Sequence, residues 1–392
     1  MKTQKLERLG ELATEMVETG YVAGVNCMVL QHGRELAYYE AGYRDVAGNK
    51  KMTRDTIFRL YSMTKPVTSA AAMILLEEGK IDLLDPVSKF LPGFQNQYVI
   101  ENGVKIPVTK PATIQNLLNM TSGLVYPGEG NPAEIRNTPL MEEIIAKLST
   151  PEALKTVDIA NRIGELPLAF MPGTTWQYGL SADVLGAVIE VVSGMSYGEF
   201  LKKRIFEPLG MQDTAFYVPA ARQDRLAKVY RETEDGLVEE HFSHLGIQNT
   251  MEREPAFESG GAGLTSTIDD YARFTQMLLQ KGEYQGRRIL SQETVRFMTT
   301  AHVSAQQQRG VETWESLAGY TYGNLMRIMT SPESAGGLGS LGEYGWDGWL
   351  GTYMMNDPAH DMTFLMMYQR TDSGTVGYSR KMRNVLFAAL EE

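Results

Sequence analysis

The chain has 392 residues, enough for one large unit or two intertwined ones with ample core, and its 43% hydrophobic and 22% charged content is ordinary for a globular protein. A net charge of −11 and the lack of any basic cluster exclude a phosphate track, and with it nucleic acid as a partner. The single cysteine, Cys27, excludes an internal disulfide; it lies in the apolar run Val25 to Leu30 and reads as a buried, inert thiol.

The first nine residues carry no apolar leader core, and no run of about 18 apolar residues occurs, so the expectation is a cytosolic protein with no membrane contact. Residues 5–20 place Leu6, Leu9, Leu12, Met16 and Val17 on one face of a helix. Two strand-like runs follow, at 23–30 and 35–43, joined through Gln31-His32-Gly33 as a hairpin. After Arg59 the character changes. Helices are predicted near 65–79, 113–120, 139–148, 151–162, 181–193 and 196–206, with Gly and Pro in the loops between them. Two further helices, at 267–281 and 291–299, precede strands at 320–328, 343–347, 350–356 and 362–369, and a helix at 376–390 comes last. Strands at both ends and helices in the middle predict an α+β fold. Residues 1–60 together with 262–392 form its antiparallel sheet domain with terminal helices, and 61–261 are a mainly helical insertion. A cleft between the two parts is where a site is expected.

Ser62-Met63-Thr64-Lys65 is the only Ser-x-x-Lys in the chain, and it stands where a helix begins. One helical turn puts an amine beside a hydroxyl, one of the few ways to make serine nucleophilic without histidine. Burial and the helix N-terminus would both lower the lysine pKa toward that of a useful base. The structural alternative is that Ser62 caps the helix and Lys65 is solvated. Tyr178, between the Met171-Pro172-Gly173 loop and an apolar helix, offers a second proton relay; the alternative is a packed ring with a satisfied hydroxyl. The Gly-rich stretch from Tyr344 to Met354 offers a wall whose Trp349 N–H, with that of Ser62, would form an oxyanion hole; the alternative is a hairpin whose aromatics fill core.

Taken together, these segments resemble the serine β-lactamase and penicillin-binding protein superfamily. Within it they are most similar to the class C β-lactamase-like esterases called family VIII carboxylesterases. The resemblance also rests on Leu83-Leu84-Asp85-Pro86-Val87, on Thr113-Ile114-Gln115-Asn116-Leu117-Leu118-Asn119-Met120-Thr121-Ser122-Gly123-Leu124 and on Gly260-Gly261-Ala262-Gly263-Leu264-Thr265-Ser266-Thr267. It implies a β-lactamase-like fold with the site in the cleft and neither metal nor organic cofactor. Ser62 would be the acylated nucleophile, and Lys65 its base or the group that keeps Tyr178 deprotonated. Tyr178 would be general base for acylation and acid toward the leaving group, with the oxyanion hole formed by the N–H groups of Ser62 and Trp349. Two departures bear on substrate. Leu180 stands where class C enzymes carry an amide-orienting Asn. Trp346-Asp347-Gly348 replaces Lys-Thr-Gly, removing a lysine that helps to hold a substrate carboxylate. Tyr126, Leu180, Trp346, Asp347 and Gly348 are therefore expected to contact substrate, an aromatic wall suiting an apolar group and Asp347 repelling a carboxylate.

Other signals are set aside. Ser196 in Gly194-Met195-Ser196-Tyr197-Gly198 fits a nucleophile elbow, but a helix precedes it, so a capping box with Glu199 is expected. The Gly-x-Gly-x-x-Gly at 337–342 leads into a strand, which argues against a dinucleotide. His32, His241, His244, His302 and His360 form no zinc motif, His241 and His244 reading as a solvated pair. The 22 methionines read by default as core filling, with Met63 and Met120 as the alternative lining of an adaptable apolar pocket. The leading expectation is an ester hydrolase acting on a small molecule, with a homo-oligomer left open. The alternatives are an amide hydrolase (a D-aminopeptidase, DD-peptidase or weak β-lactamase), an acyltransferase, and a non-catalytic ligand-binding domain. The loop-and-helix region 125–165 is expected to shape the acyl or alcohol pocket.

Overall fold

Alternating apolar segments from both ends of the chain assemble into one eight-stranded sheet in the computed structural model, which describes residues 3–300, 303–371 and 376–390. In chain order its strands are β1 (Gly24–Gln31), β2 (Arg34–Asp45), β3 (Lys50–Lys51), β4 (Tyr320–Gly323), β5 (Met326–Met329), β6 (Tyr344–Asp347), β7 (Tyr353–Asp357) and β8 (Met362–Met367). Their spatial order is β4-β5-β6-β7-β8-β1-β2-β3, and every pairing is antiparallel. The two ends of the chain meet where β1 pairs with β8, from Asn26 opposite Met367 to Gln31 opposite Met362.

The period of two in these strands sorts their side chains onto two faces. Cys27, Val29, Met355, Phe364 and Met366 pack under the helices Thr3–Glu18 and Val376–Ala388, against Leu6, Leu9, Met16, Met382 and Leu386. Met28, Leu30, Trp346, Met354, Leu365 and Met367 face the other way, into a larger core shared with the helices Thr64–Glu77, Ser181–Ser193 and Ile268–Leu279. Cys27 is the buried thiol its surroundings predict, and burial pushes its pKa up to about 12.

Several predicted boundaries move. The strand expected at 320–328 is the β4–β5 hairpin, because Asn324 and Leu325 both take positive φ (48° and 64°) and turn the chain. The strand expected from 350 begins at Tyr353, after a turn in which Gly351 holds φ +101°. The helix expected at 139–148 extends over Pro132–Lys147, capped by Asn131 and containing Pro139. The one expected at 151–162 runs over Thr156–Gly164. The helix expected at 196–206 is Tyr197–Leu201 followed by a π-turn, Lys202–Phe206. A helix not foreseen, Ala305–Val311, follows Gln292–Thr300. No single helix among the described residues is long and apolar enough to cross a membrane.

Candidate active site

Ser62 sits on a bend. Tyr61–Met63 forms a single 3-10 turn ahead of the helix Thr64–Glu77, whose N-cap position is Met63, so Ser62 caps nothing there. Tyr61 holds φ +44°, a region that a bulky L-residue enters only under constraint. The constraint is visible: its ring packs on Trp349 at 5.2 Å, and its hydroxyl donates to Asn249 Oδ1 at 2.9 Å. Between buried Tyr61 and Met63, Ser62 is only half-buried.

Lys65 is fully buried, which rules out the solvated alternative. Its Nζ lies 3.0 Å from Ser62 Oγ, 3.2 Å from the Tyr126 hydroxyl and 2.8 Å from the Gly261 carbonyl oxygen. Burial pulls the amine down to about 7, and the carboxylates of Asp183 and Asp347 limit the fall. Asp183 escaped the sequence reading. It is a buried acid in the first turn of Ser181–Ser193, and it accepts from Ser259 Oγ at 2.5 Å and from the Gly261 N–H at 3.1 Å. It thereby fixes the loop whose carbonyl receives Lys65. The available signal was an acid inside the apolar run from Leu180 to Ile189.

Tyr178 completes the cluster. Lys65 Nζ lies 4.6 Å from its ring centroid, and the Tyr126 ring meets it edge-on at 5.7 Å. Gly179 allows this approach, since its Cα packs against the backbone of Leu124 and Val125. The Trp346 indole N–H donates to the Tyr178 hydroxyl at 3.0 Å. An indole N–H only donates, so the phenol oxygen accepts from it and the phenol proton is left to point elsewhere. Burial pushes the Tyr178 hydroxyl well above the usual phenol range, against smaller opposing effects of Ser62 and Trp346. Burial raises Tyr126 in the same way. Burial thus favours the protonated form of both phenols and the uncharged form of the Lys65 amine.

The third segment supplies the wall. Asp347, at the end of β6, pairs with buried Arg327 of β5 at 2.5 Å. That cation compensates Asp347, so the repulsion expected of a substrate carboxylate is not that of a free charge. Gly348 packs against the Leu60 carbonyl so closely that no Cβ fits; Thr352 Oγ1 donates to the same carbonyl at 2.9 Å. The turn after β6 therefore runs along the residues just ahead of Ser62. The Trp349 N–H donates to no backbone acceptor among the described residues. The Trp349 ring stacks on His244 at 4.2 Å and meets Phe242 at 5.6 Å. His244 is thus part of an aromatic wall, which corrects its reading as solvated.

One more expectation is corrected, and the default reading of the methionines holds. Leu180 is 2% exposed and belongs to the main core, so it backs the Tyr178 loop and has no face open to substrate. Met63 and Met120 are fully buried and fill core. Trp346 is buried as well, and reaches the site through its indole N–H. Sequence reasoning also missed Arg327, Trp176, Tyr322 and Trp314, the last three forming an aromatic layer behind and beside Tyr178.

The rival serine does not compete. Ser196 Oγ accepts from the Glu199 N–H at 3.2 Å as an N-cap, while the Glu199 side chain pairs with Lys203, so only half of the expected capping box forms. Ser196 borders a cavity of about 720 Å³, with Phe206, Phe216 and Glu258. A second cavity of about 530 Å³ lies against Ile144 and Phe257. Neither is lined by Ser62, Lys65, Tyr126 or Tyr178, so chemistry and not depth marks the site. Among the described residues no cluster of His, Cys, Asp or Glu is arranged to hold a metal; His302 lies outside them.

The family described as Beta-lactamase matches residues 9–389 of the chain. Protein Rv1367c of Mycobacterium tuberculosis is 34% identical over 370 residues, 91% of this chain and 88% of that protein. Esterase EstB of Burkholderia gladioli is 28% identical over 349 residues, 84% of this chain and 81% of its own. Among solved structures, EstCE1, described as a hydrolase with promiscuous acyltransferase activity, aligns with a TM-score of 0.84 at 25% identity, covering 98% of this chain and 99% of that one.

Proposed function

This chain belongs to the beta-lactamase family, and from the site it carries we propose that it cleaves carboxylic esters of small or medium acyl groups through a covalent acyl-Ser62 intermediate. The observation that carries this reading is the Lys65 amine, fully buried, 3.0 Å from Ser62 Oγ and titrating near 7. In its neutral form it takes the Ser62 proton as Oγ bonds to the acyl carbon. The N–H groups of Ser62 and Trp349 hold the developing oxyanion. As the ester C–O bond breaks, Tyr178 gives its proton to the leaving oxygen and is reprotonated from the Lys65 ammonium. Water then attacks the acyl carbon and gives one proton to neutral Lys65, and the Oγ–acyl bond breaks as Tyr178 protonates Ser62 Oγ and is reprotonated from the Lys65 ammonium, releasing the acid. This assigns the base to Lys65 and the acid to Tyr178, because burial moves their pKa values in opposite directions.

Esters are favoured over peptide-like substrates by the third segment. The only cation there, Arg327, is buried and already paired with Asp347, which leaves nothing exposed among Trp346, Asp347 and Gly348 to hold a substrate carboxylate. Kinship with an esterase and with a hydrolase that also transfers acyl groups supports the same acyl-enzyme, with an alcohol competing against water in its second half. The test is a panel of short-chain aryl esters with added alcohols. Turnover that vanishes in Ser62→Ala is the expected result. Equal turnover in wild type and Ser62→Ala, or none in either, contradicts it.

A further inference from the structure

Of the four tryptophans, Trp314 alone is exposed (38%), although its ring lies 4.8 Å from that of Tyr178. An aromatic face left open to water beside the groups of a reaction site is a surface for a ligand to cover. We infer that Trp314 is the specificity-determining wall of the leaving-group subsite and selects esters of neutral, flat, apolar alcohols. The inference rests on the ester-hydrolase reading.

The side chain is held in place by its segment. Ser304 caps Ala305–Val311 in a reciprocal box with Gln307, and Gln307 Nε2 donates to the Gly173 carbonyl at 2.8 Å. Gly310 packs on the strip that leads to Tyr178, where a Cβ would stand 2.5 Å from the Trp176 carbonyl oxygen. The Trp314 N–H then donates to Val311 O at 3.0 Å, and its indole meets Trp176 edge-on at 5.6 Å. The wall is thus bolted to the loop that carries Tyr178, and its position relative to the phenol is fixed.

Tyr178 decides which part of the ester faces this wall. During acylation the Ser62 Oγ–acyl carbon bond forms, the ester C–O bond breaks, and the leaving oxygen takes the Tyr178 proton. The alcohol carbon is bonded to that oxygen and is therefore the part of the ester next to the Tyr178 phenol, whose ring lies 4.8 Å from the exposed Trp314 indole. The acyl group stays with Ser62. Glu312 and Glu315 flank Trp314 and are exposed, so an anionic alcohol meets like charge while a neutral aromatic one meets an indole.

The test holds the acyl group constant. Ethyl butyrate and benzyl butyrate release alcohols of similar basicity that differ in the flat ring. Wild type is expected to prefer benzyl butyrate in kcat/KM. Trp314→Ala is expected to lose about tenfold on benzyl butyrate and less than twofold on ethyl butyrate, with Trp314→Phe keeping most of the preference. Competitive inhibition of wild type by free benzyl alcohol, largely kept in Trp314→Phe and weaker in Trp314→Gln, gives a readout that does not depend on the alanine variant folding. Equal losses on both esters, no loss on either, or a loss that follows acyl length overturns the inference and leaves the hydrolase reading intact. Absence of any Ser62-dependent turnover in wild type overturns both.

Discussion

Burial acts on Lys65 and Tyr178 in opposite directions, because the uncharged form of one has lost a proton and that of the other has kept it. If neutral Lys65 is the base, kcat/KM for an ester rises with pH on a limb centred near 7 and falls away below it. Asp347 holds Lys65 up, so Asp347→Asn moves that limb to lower pH; a pH–rate profile of the two proteins checks the direction. Tyr178→Phe should lose about 10²- to 10⁴-fold on an alkyl ester, whose leaving alkoxide needs a proton, and much less on a p-nitrophenyl ester, whose leaving group does not. Equal losses on both would remove the acid role from Tyr178. Ser62 and Lys65 were legible in the sequence because one helical turn brings them together. Asp183 and Arg327 were not. Each looks like an ordinary charge until tertiary packing buries it, Asp183 against the Ser259–Gly261 loop and Arg327 against Asp347.

At the scale of elements, the site depends on three close backbone approaches: Gly179 on Leu124, Gly310 on Trp176 and Gly348 on Leu60. The third matters most, since it sets Trp349 against the bend at Ser62. Gly348→Ala should cost about 1–3 kcal/mol through overpacking. If Trp349 supplies an oxyanion donor, the substitution should also lower kcat more than it raises KM. Thermal melts with ester kinetics check both; a stability loss with unchanged kcat would separate the turn from the chemistry. Thr3–Glu18 was readable because its burial follows the helical period, and β1 and Ser181–Ser193 because each is a nearly unbroken apolar, buried run of strand or helix length. The β4–β5 hairpin was missed: Gly323-Asn324 is a turn signal, but the second positive-φ residue is the apolar Leu325, which makes the run look like one continuous strand. Pro132–Lys147 was read as half its length because Pro139 looks like a start and sits instead inside the helix.

For the whole molecule, the sheet separates an outer core from a larger inner one, and the inner core, with a small third cluster around Tyr61 and Trp349, borders the site. The outer core joins the first and last helices to β1, β7 and β8, so both ends of the chain bear on one packing layer. Leu386, fully buried there, should cost about 2–5 kcal/mol when changed to alanine, lowering Tm while leaving kcat at low temperature unaltered. A parallel fall in kcat would mean that the outer layer communicates with Ser62. Strands at both ends with helices between them were enough to anticipate an antiparallel sheet built from both termini, because strand runs and helix runs were segregated along the chain. Of the nucleophile's aromatic surroundings Trp346 was expected at the site, but Trp176, Trp314 and Tyr322 were not, since they come from distant segments and converge on it only in the folded chain.

The acyl-enzyme itself is the most direct point of test. Wild type, Ser62→Ala and Ser196→Ala would each be mixed with p-nitrophenyl butyrate, quenched within the first turnover and weighed intact. The predicted result is a mass gain of one butyryl group in wild type and Ser196→Ala and none in Ser62→Ala, with multiple turnover in the first two. A butyryl adduct that persists without Ser62, or one that disappears only without Ser196, would contradict the account.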